Sequence, residues 1–171
     1  MKFAALPLAG CLALAGLGPA LAQESDDVPF LDEAQENYRI AFSTAMRLLD
    51  SQGLEAVQTE VNQCYANIEP HERIRRTQYC FLYDVAGVVT SEMLQAALAG
   101  RMDGKLSGAQ LDPAARRAVG SLMHAGFPDR DAVTYVRAWL MTGKAGVTSA
   151  QAREFAHLVQ RRGGGPKPAA R

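Results

Sequence analysis

Two cysteines, Cys64 and Cys80, have the spacing that most directly suggests chemistry. In an oxidising compartment two such thiols tend to pair, so the sequence predicts a structural Cys64–Cys80 disulfide. A loop of this size stabilises a fold by about 3 kcal/mol in the chain-entropy account. The alternatives are a redox dithiol or two metal ligands. The chain has no Cys-x-x-Cys motif and no Cys-His pair at zinc-site spacing, which argues against both.

The three histidines, His71, His124 and His157, are the other obvious candidate metal ligands. None lies at metal-ligand spacing from another His or Cys, so each is expected at the surface or near a helix end. Met123 beside His124 suggests a soft copper site that would also use Met93, Met102 and Met141. Isolated methionines on amphipathic helices normally fill cores, and this interpretation is favoured instead.

The segment 103–107, Asp-Gly-Lys-Leu-Ser, resembles the middle of a calcium-binding loop. In that register the first, third and last ligand positions fall on Ala99, Arg101 and Gln110, which supply no carboxylate for a hard cation. A plain turn before a short helix capped by Ser107 is favoured. We therefore predict no metal site and no cofactor.

Catalytic motifs do not stand out. The sequence lacks Gly-x-Ser-x-Gly, His-Glu-x-x-His and a Gly-rich phosphate loop between strand and helix, so we assign no catalytic residue. Paired arginines are a further candidate, because each guanidinium can bind a carboxylate or a phosphate. Such pairs more often form solvated helix faces. The three pairs are Arg75-Arg76, Arg116-Arg117 and Arg161-Arg162.

The first 22 residues have the pattern of a cleavable secretory signal. Lys2 precedes an uncharged stretch rich in Ala, Leu and Gly, which ends in Ala20-Leu21-Ala22 before an acidic segment. We predict cleavage after Ala22, with an uncleaved membrane anchor as the alternative. A second alternative is lipidation at Cys11, because Leu8-Ala9-Gly10-Cys11 resembles a lipoprotein processing box. The expected location is therefore periplasmic or secreted, without stable membrane insertion after cleavage.

Removal of those 22 residues would leave 149 of the 171, the usual size of one domain. Residues 23–100 carry 13 acidic and 5 basic side chains, a net charge of −8, whereas residues 101–171 carry 5 acidic and 12 basic, a net charge of +7. The two halves face each other or are merely solvated, which is favoured, or they present a polar surface to a partner. Nucleic acid is not expected as a partner, because export separates the chain from it and aromatic residues do not interleave with the basic ones.

Helical periodicity dominates the chain, and no run alternates apolar and polar residues as a strand does. We predict an all-α fold, a small bundle of about six helices. A flexible acidic leader is expected at 23–30, one helical domain at 31–162 and a disordered tail rich in Gly, Pro and basic residues at 163–171. The first helix has an apolar stripe and is expected to begin near Leu31 and end at Gly53. The stripe comprises Leu31, Ala34, Tyr38, Ala41, Phe42, Ala45, Met46, Leu48 and Leu49.

The predicted disulfide constrains the next two helices, which Pro70 separates. In a tight antiparallel hairpin the natural partner of Cys64 lies near Arg75, so Cys80 is about 7 Å too far along a continuous helix. Either the two helices cross steeply, or Thr77 caps a third helix that holds Cys80 in its first turn. The second alternative is favoured. That third helix is expected to end at Gly100.

The C-terminal half contains clear helix boundaries. Asp112 is predicted to cap a helix that has Pro113 at its first position and ends at Gly126, while Asp129 and Gly143 bound the next helix. Thr148 with Gln151 forms a capping box for a last helix ending near Arg162. The core positions expected on these three helices are Val119, Leu122, Met123, Val133, Val136, Trp139, Leu140, Phe155, Leu158 and Val159.

Export, split charge and missing catalytic motifs favour a non-catalytic helical module that binds another protein or an envelope component. The first alternative is a small envelope enzyme without a recognisable motif, which a cleft of inward polar groups would favour. The second is a carrier of a small apolar ligand, which would need a closed cavity. An exposed apolar groove between helices would favour the binding module.

Overall fold

The structure, a computed structural model, describes residues 28–99, 111–144 and 149–162. Within these ranges the chain forms six α-helices and no strand, which confirms the all-α prediction. In chain order they are α1 (Ala34–Ser51), α2 (Leu54–Ala66), α3 (Arg73–Leu98), α4 (Asp112–His124), α5 (Asp129–Lys144) and α6 (Ser149–Arg162). Short 3-10 helices, Leu31–Glu33 and Pro70–Glu72, precede α1 and α3. The predicted signal with Cys11, the turn at 103–107, Met102, Thr148 and the tail at 163–171 lie outside the described residues.

Helix α3 is the centre of the bundle. It contacts each of the other five α-helices, and every residue from Cys80 to Gly87 is buried. A helix that is buried all round needs apolar residues on every side, and this run is apolar apart from Asp84. The surrounding helices bury one stripe each, as Tyr38, Ala41 and Ala45 do on α1. The stripe predicted for α1 is confirmed.

Two glycines end helices as the sequence indicates. Gly53 has φ +89° after α1, and Gly126 has φ +92° after α4. In this left-handed region a side chain is unfavourable, so glycine terminates a helix there at low cost. Gly143 differs, since it lies buried inside α5 and the helix continues to Lys144. A Cβ at Gly143 would lie 2.9 Å from Leu82 Cδ2 and 3.3 Å from Ala34 O, so its role is close packing against α3 and α1.

The prediction that Thr77 caps a new helix is wrong. Helix α3 begins at Arg73, and Thr77 lies within it, buried, with its hydroxyl 2.7 Å from Ser121 Oγ on α4. Asp112 also needs a correction, because it is the first residue of α4 and its side chain makes no capping hydrogen bond.

The steep crossing of α2 and α3, the other alternative, is not seen either. Besides the Cys64–Cys80 bond, Val57 lies beside Gly87, so α2 and α3 run antiparallel along most of α2. The 3-10 turn Pro70–Glu72 moves the centre of the hairpin toward Glu72, which brings Cys80 opposite Cys64.

Residues Val28, Pro29 and Phe30, at the end of the expected leader, pack with the helical domain. Val28 is buried, and the Pro29 carbonyl oxygen accepts a hydrogen bond of 2.8 Å from Trp139 Nε1 on α5. The Phe30 carbonyl accepts another from the Gln78 side-chain amide on α3. The described domain therefore starts at Val28. Within the described residues, no helix has the length and apolar character needed to cross a membrane.

Candidate functional site

The two cysteines that were predicted to pair are bonded in the structure. Cys64 and Cys80 have Cα atoms 5.6 Å apart and their sulfur atoms are at disulfide distance, so the bond joins α2 to α3. Cys80 is fully buried and Cys64 nearly so. The predicted structural disulfide is confirmed.

The candidate metal ligands are dispersed over the surface. His71, His124 and His157 are all exposed, and His124 Nδ1 lies 2.7 Å from the Gly120 carbonyl oxygen of its own helix. Among the described residues, no three His, Cys, Asp or Glu side chains are grouped as a metal site requires. Of the methionines in the copper hypothesis, Met93 on α3, Met123 on α4 and Met141 on α5 are exposed, so the favoured interpretation that they fill the core is wrong for these three.

Each arginine pair contributes a cation that binds a carboxylate on another element. Arg75 Nε donates to Glu33 Oε2 at 2.8 Å, and Arg161 Nη2 donates to Asp50 Oδ2 at 2.6 Å. Arg162 adds hydrogen bonds to the last carbonyl groups of α1. At least one arginine of each pair therefore links two elements of the bundle. Two of these contacts, Arg161 with Asp50 and Arg117 with Asp84, join the basic half of the chain to the acidic half.

Arg117 and Asp84 form the most buried of the ion pairs. Arg117 donates from Nε at 2.8 Å and from Nη2 at 2.5 Å, both to Asp84 Oδ2. The Asp84 side chain is 5% exposed, whereas that of Arg117 is 45% exposed. Burial raises the pKa of the Asp84 carboxyl, and the bonds from Arg117 oppose that shift. A carboxylate at this depth needs its cation, because an unpaired buried charge is strongly unfavourable.

Tyr65, on α2, lies in the electrostatic field of this ion pair. Burial is the main cause that raises the pKa of its phenol, and the negative charge of Asp84 adds to it. Its hydroxyl is buried and has no hydrogen-bond partner among the described residues. The phenol therefore stays protonated.

Asp84 and Arg117 lie at a cleft of about 390 Å³ between α2, α3 and α4. We call it the Asp84 cleft; Val57 and Val61 line its α2 wall, and Ser91 and Glu92 continue its α3 wall. Gly87 allows α2 to come close at this point, since a Cβ there would lie 2.8 Å from Val57 Cγ1. One Glu92 oxygen, Oε1, is buried without a hydrogen-bond partner in the described part of the chain. The Asp84 cleft is thus a partly apolar pocket with an acidic edge.

A second concave surface lies between α4 and α5, which a short turn at 125–128 joins. Here the sequence prediction of core positions is wrong for two residues, because Met123 and Val133 are each 48% exposed. Met123 and Val133, together with the half-buried Val119 and Leu140, line a groove of about 640 Å³. We call it the α4–α5 groove. Met141, further along α5, is 70% exposed and is not part of the groove lining.

Two arginines border the α4–α5 groove, Arg116 on α4 and Arg137 on α5. Both are exposed, and within the described ranges neither forms an ion pair, unlike the neighbouring Arg117. Asp112 and Asp129 also line the groove, so its border carries both signs. The remaining core predictions on these helices hold: Leu122, Val136, Trp139, Phe155 and Leu158 are buried, and Val119, Leu140 and Val159 are half-buried.

Sequence analysis did not single out Asp84, Glu92 or Gln78. The signal for Asp84 is present, since it is the one charged residue in the apolar run Cys80–Val89. A charge in such a run is expected to be paired. Gln78 also lies buried, where it accepts from Asn37 Nδ2 at 2.7 Å and donates to the Phe30 carbonyl. Neither partner is close in sequence, so spacing alone does not reveal them.

Comparisons with protein-family models, with curated proteins and with solved structures found no match for this chain.

Proposed function

We propose that this protein is an exported, non-catalytic helical module that binds another protein through the α4–α5 groove. The observation that carries the proposal is the exposed apolar pair Met123 and Val133, which line the groove with the half-buried Val119 and Leu140. Contiguous exposed apolar groups that border a groove favour a binding surface, whereas scattered ones do not. Methionine suits such a surface because its flexible side chain adapts to the partner.

The occupant that best fits the α4–α5 groove is an amphipathic helix with acidic side chains beside its apolar stripe. A groove between two neighbouring helices accepts the apolar stripe of a third, as in known helix-in-groove recognition. Arg116 and Arg137 border the groove without an ion pair in the described residues, so each can bind a carboxylate of the partner. The two acidic residues of the border, Asp112 and Asp129, are the first residues of α4 and α5, where the helix dipole stabilises their charge. The partner is thus an acidic, amphipathic helical segment of another protein.

The alternatives have less support. The Asp84 cleft contains inward polar groups, as an enzyme would, but its carboxylate is bound twice by Arg117. The Ser91 hydroxyl donates at 2.7 Å to the Gly87 carbonyl of its own helix, so it has no general base as partner. A carrier of apolar ligands needs an enclosed apolar cavity, and the acidic edge of the Asp84 cleft does not suit one.

The export part of the proposal rests on the sequence pattern of residues 1–22 and is compatible with the disulfide. Cys64 and Cys80 are bonded between two helices, which is the usual state of a cysteine pair in an oxidising compartment. Cleavage after Ala22 leaves five residues before the buried Val28, where the described domain begins. The proposed location is the periplasm or the medium.

The test uses two synthetic peptides, each about 18 residues long and helical. One carries a leucine stripe flanked by glutamates, and the other carries lysines at the glutamate positions. In an NMR titration of the oxidised protein, we expect the acidic peptide to shift amide resonances of α4 and α5 and the basic peptide to bind much more weakly. Val133→Asp should weaken binding by about tenfold or more.

Ile40→Asp is the matched control, because Ile40 is a β-branched residue on α1 with a similar exposure of 41%. It should leave peptide binding unchanged. Equal binding of both peptides, or no binding of either, would contradict the proposal. Sedimentation that shows a dimer abolished by Val133→Asp would also contradict it, because the groove would then bind a second copy of this chain.

A further inference from the structure

The α4–α5 groove differs in charge from one end to the other. Asp129, the first residue of α5, lines the groove at the end nearest the turn at 125–128. Two arginines line it further out, since Arg116 lies nine residues before that turn and Arg137 nine residues after it. Because α4 runs into the turn and α5 runs out of it, the arginines lie at about the same height on opposite walls, about 14 Å from the turn.

The apolar lining lies between these two ends. Met123 and Val133 are the exposed apolar residues, and both are nearer to the turn than the arginines are. Gly120, five residues before the turn, faces the height of Val133, five residues after it, and an added Cβ at Gly120 would have no neighbour within 4 Å. The groove is therefore open along its length, and a helix can place its apolar stripe between Asp129 and the two arginines.

The pair of arginines at one height fits the C-terminal end of such a helix. Two guanidinium groups have more N–H donors than a single side-chain carboxylate accepts. The last carbonyl groups of a helix have no partner within it, and a free terminal carboxylate adds further acceptors at the same place. The negative end of the helix dipole lies there as well, and nearby cations stabilise it.

The two aspartates of the groove favour the same direction. The negative charge of Asp129 lies at the end where the occupant would have the positive end of its dipole. Asp112 lines the groove beyond the arginines, about 6 Å further along α4 from Arg116. An acidic helix that continued past the arginines would bring more of its carboxylates toward Asp112, which is unfavourable. A helix that ends at the arginines meets two positive charges against this single negative one.

We propose that the partner's helix ends in the α4–α5 groove, with its free C-terminal carboxylate bound between Arg116 and Arg137 and its N-terminal side toward the turn at 125–128. This inference rests on the function proposed for the groove. It adds the direction of the partner and the group that fixes that direction. The partner is then a protein whose chain ends in an acidic amphipathic helix.

The test uses the acidic peptide in two forms, one with a free C-terminal carboxylate and one with a C-terminal amide. In NMR titrations of the oxidised full chain, we expect amidation to weaken binding by about tenfold or more. Arg137→Gln should remove most of this difference between the two forms. Arg130→Gln is the matched control and should preserve the difference, because Arg130 is an exposed arginine of α5 outside the groove lining.

A nitroxide label on the peptide gives the direction independently. On the first residue of the peptide, the label should broaden amide resonances of the turn at 125–128 more than those around Arg116 and Arg137. One helical turn before the C-terminus, it should do the reverse. The opposite pattern would overturn the proposed direction, and equal affinity of the two peptide forms would overturn the role of the carboxylate.

Failure of this inference is distinguishable from failure of the function proposed for the groove. If both peptide forms bound equally and shifted resonances of α4 and α5, the groove would remain a binding site and only the C-terminal inference would be wrong. If neither form bound, both proposals would be wrong.

Discussion

Arg117 places two of its N–H groups, Nε at 2.8 Å and Nη2 at 2.5 Å, on the same oxygen of Asp84. The contact joins α4 to the buried central helix α3 across 33 residues of sequence. Because Asp84 is nearly inaccessible and Arg117 is half-exposed, the arginine brings the neutralising charge to the carboxylate from the surface. The ion pair thus links two helices and forms part of the lining of the Asp84 cleft.

Arg117→Met should lower the free energy of unfolding by about 2 kcal/mol, because it leaves the Asp84 charge buried without a partner. Chemical denaturation measures this loss. Arg116→Met is the control, since this adjacent exposed arginine makes no ion pair within the described residues, and it should change stability by less than about 0.5 kcal/mol. The double variant Asp84→Asn with Arg117→Met should recover most of the loss. If Arg117→Met and Arg116→Met lowered the free energy of unfolding equally, the ion pair with Asp84 would not be the cause of the loss.

The ionisation of Asp84 should make stability depend on pH in a defined direction. Burial raises its folded-state pKa above the ordinary 3.8, so between these two pKa values the folded protein binds more protons than the unfolded chain. The stability of the wild type relative to Asp84→Asn should therefore fall as the pH rises through this interval. Urea unfolding of the wild type and of Asp84→Asn at several pH values from 3.8 to neutrality measures the difference in their free energies of unfolding. A relative stability that increases with pH would show that Arg117, not burial, dominates.

Gly143→Ala should destabilise the fold by about 1–3 kcal/mol, because the added methyl group meets Leu82 Cδ2 at 2.9 Å and Tyr38 Cβ at 3.2 Å. Gly120→Ala is the matched control inside α4, where an added Cβ has no neighbour within 4 Å. That substitution should stabilise the protein by up to about 1 kcal/mol, since alanine is the better helix former. Thermal unfolding of the two variants should give shifts of opposite sign, and shifts of the same sign would refute the packing role of Gly143.

Gly143 also shows how far sequence analysis reaches. A glycine near the end of an amphipathic pattern predicts a helix terminus, and the helix does end one residue later. The reason for glycine here is the approach of α1 and α3, which local patterning cannot show. In the same way, the spacing of Met123 and Val133 predicts an apolar helix face. It does not predict whether other helices of the chain pack on that face. The partners of Asp84 and Gln78 escape prediction because they lie more than 30 residues away.

The ends and inward faces of most helices were predictable because they depend on local sequence patterns. Tyr38, Ala41 and Ala45 follow a local repeat, and Gly53 and Gly126 adopt positive φ angles that local sequence favours. The disulfide was predictable from the number of cysteines and the expected compartment. Its geometry was not, because the register of α2 against α3 depends on the connection between them, which includes the 3-10 turn Pro70–Glu72.

Reduction of the Cys64–Cys80 disulfide should lower the free energy of unfolding by about 3 kcal/mol, since the bond closes a loop between positions 16 residues apart. Denaturation with and without a thiol reductant measures the loss. The double variant Cys64→Ala with Cys80→Ala serves as the control and should be insensitive to the reductant. A wild type equally stable in both conditions would contradict a structural role for the bond.

The proposal that the protein is exported and oxidised is tested most directly by the intact mass of the chain isolated from its native cells under non-reducing, alkylating conditions. The expected mass is that of residues 23–171, two hydrogens lighter than the dithiol and without alkylation. A chain of residues 11–171 carrying acyl groups would show lipidation at Cys11 instead. A full-length chain with Cys64 and Cys80 both alkylated would contradict the proposal.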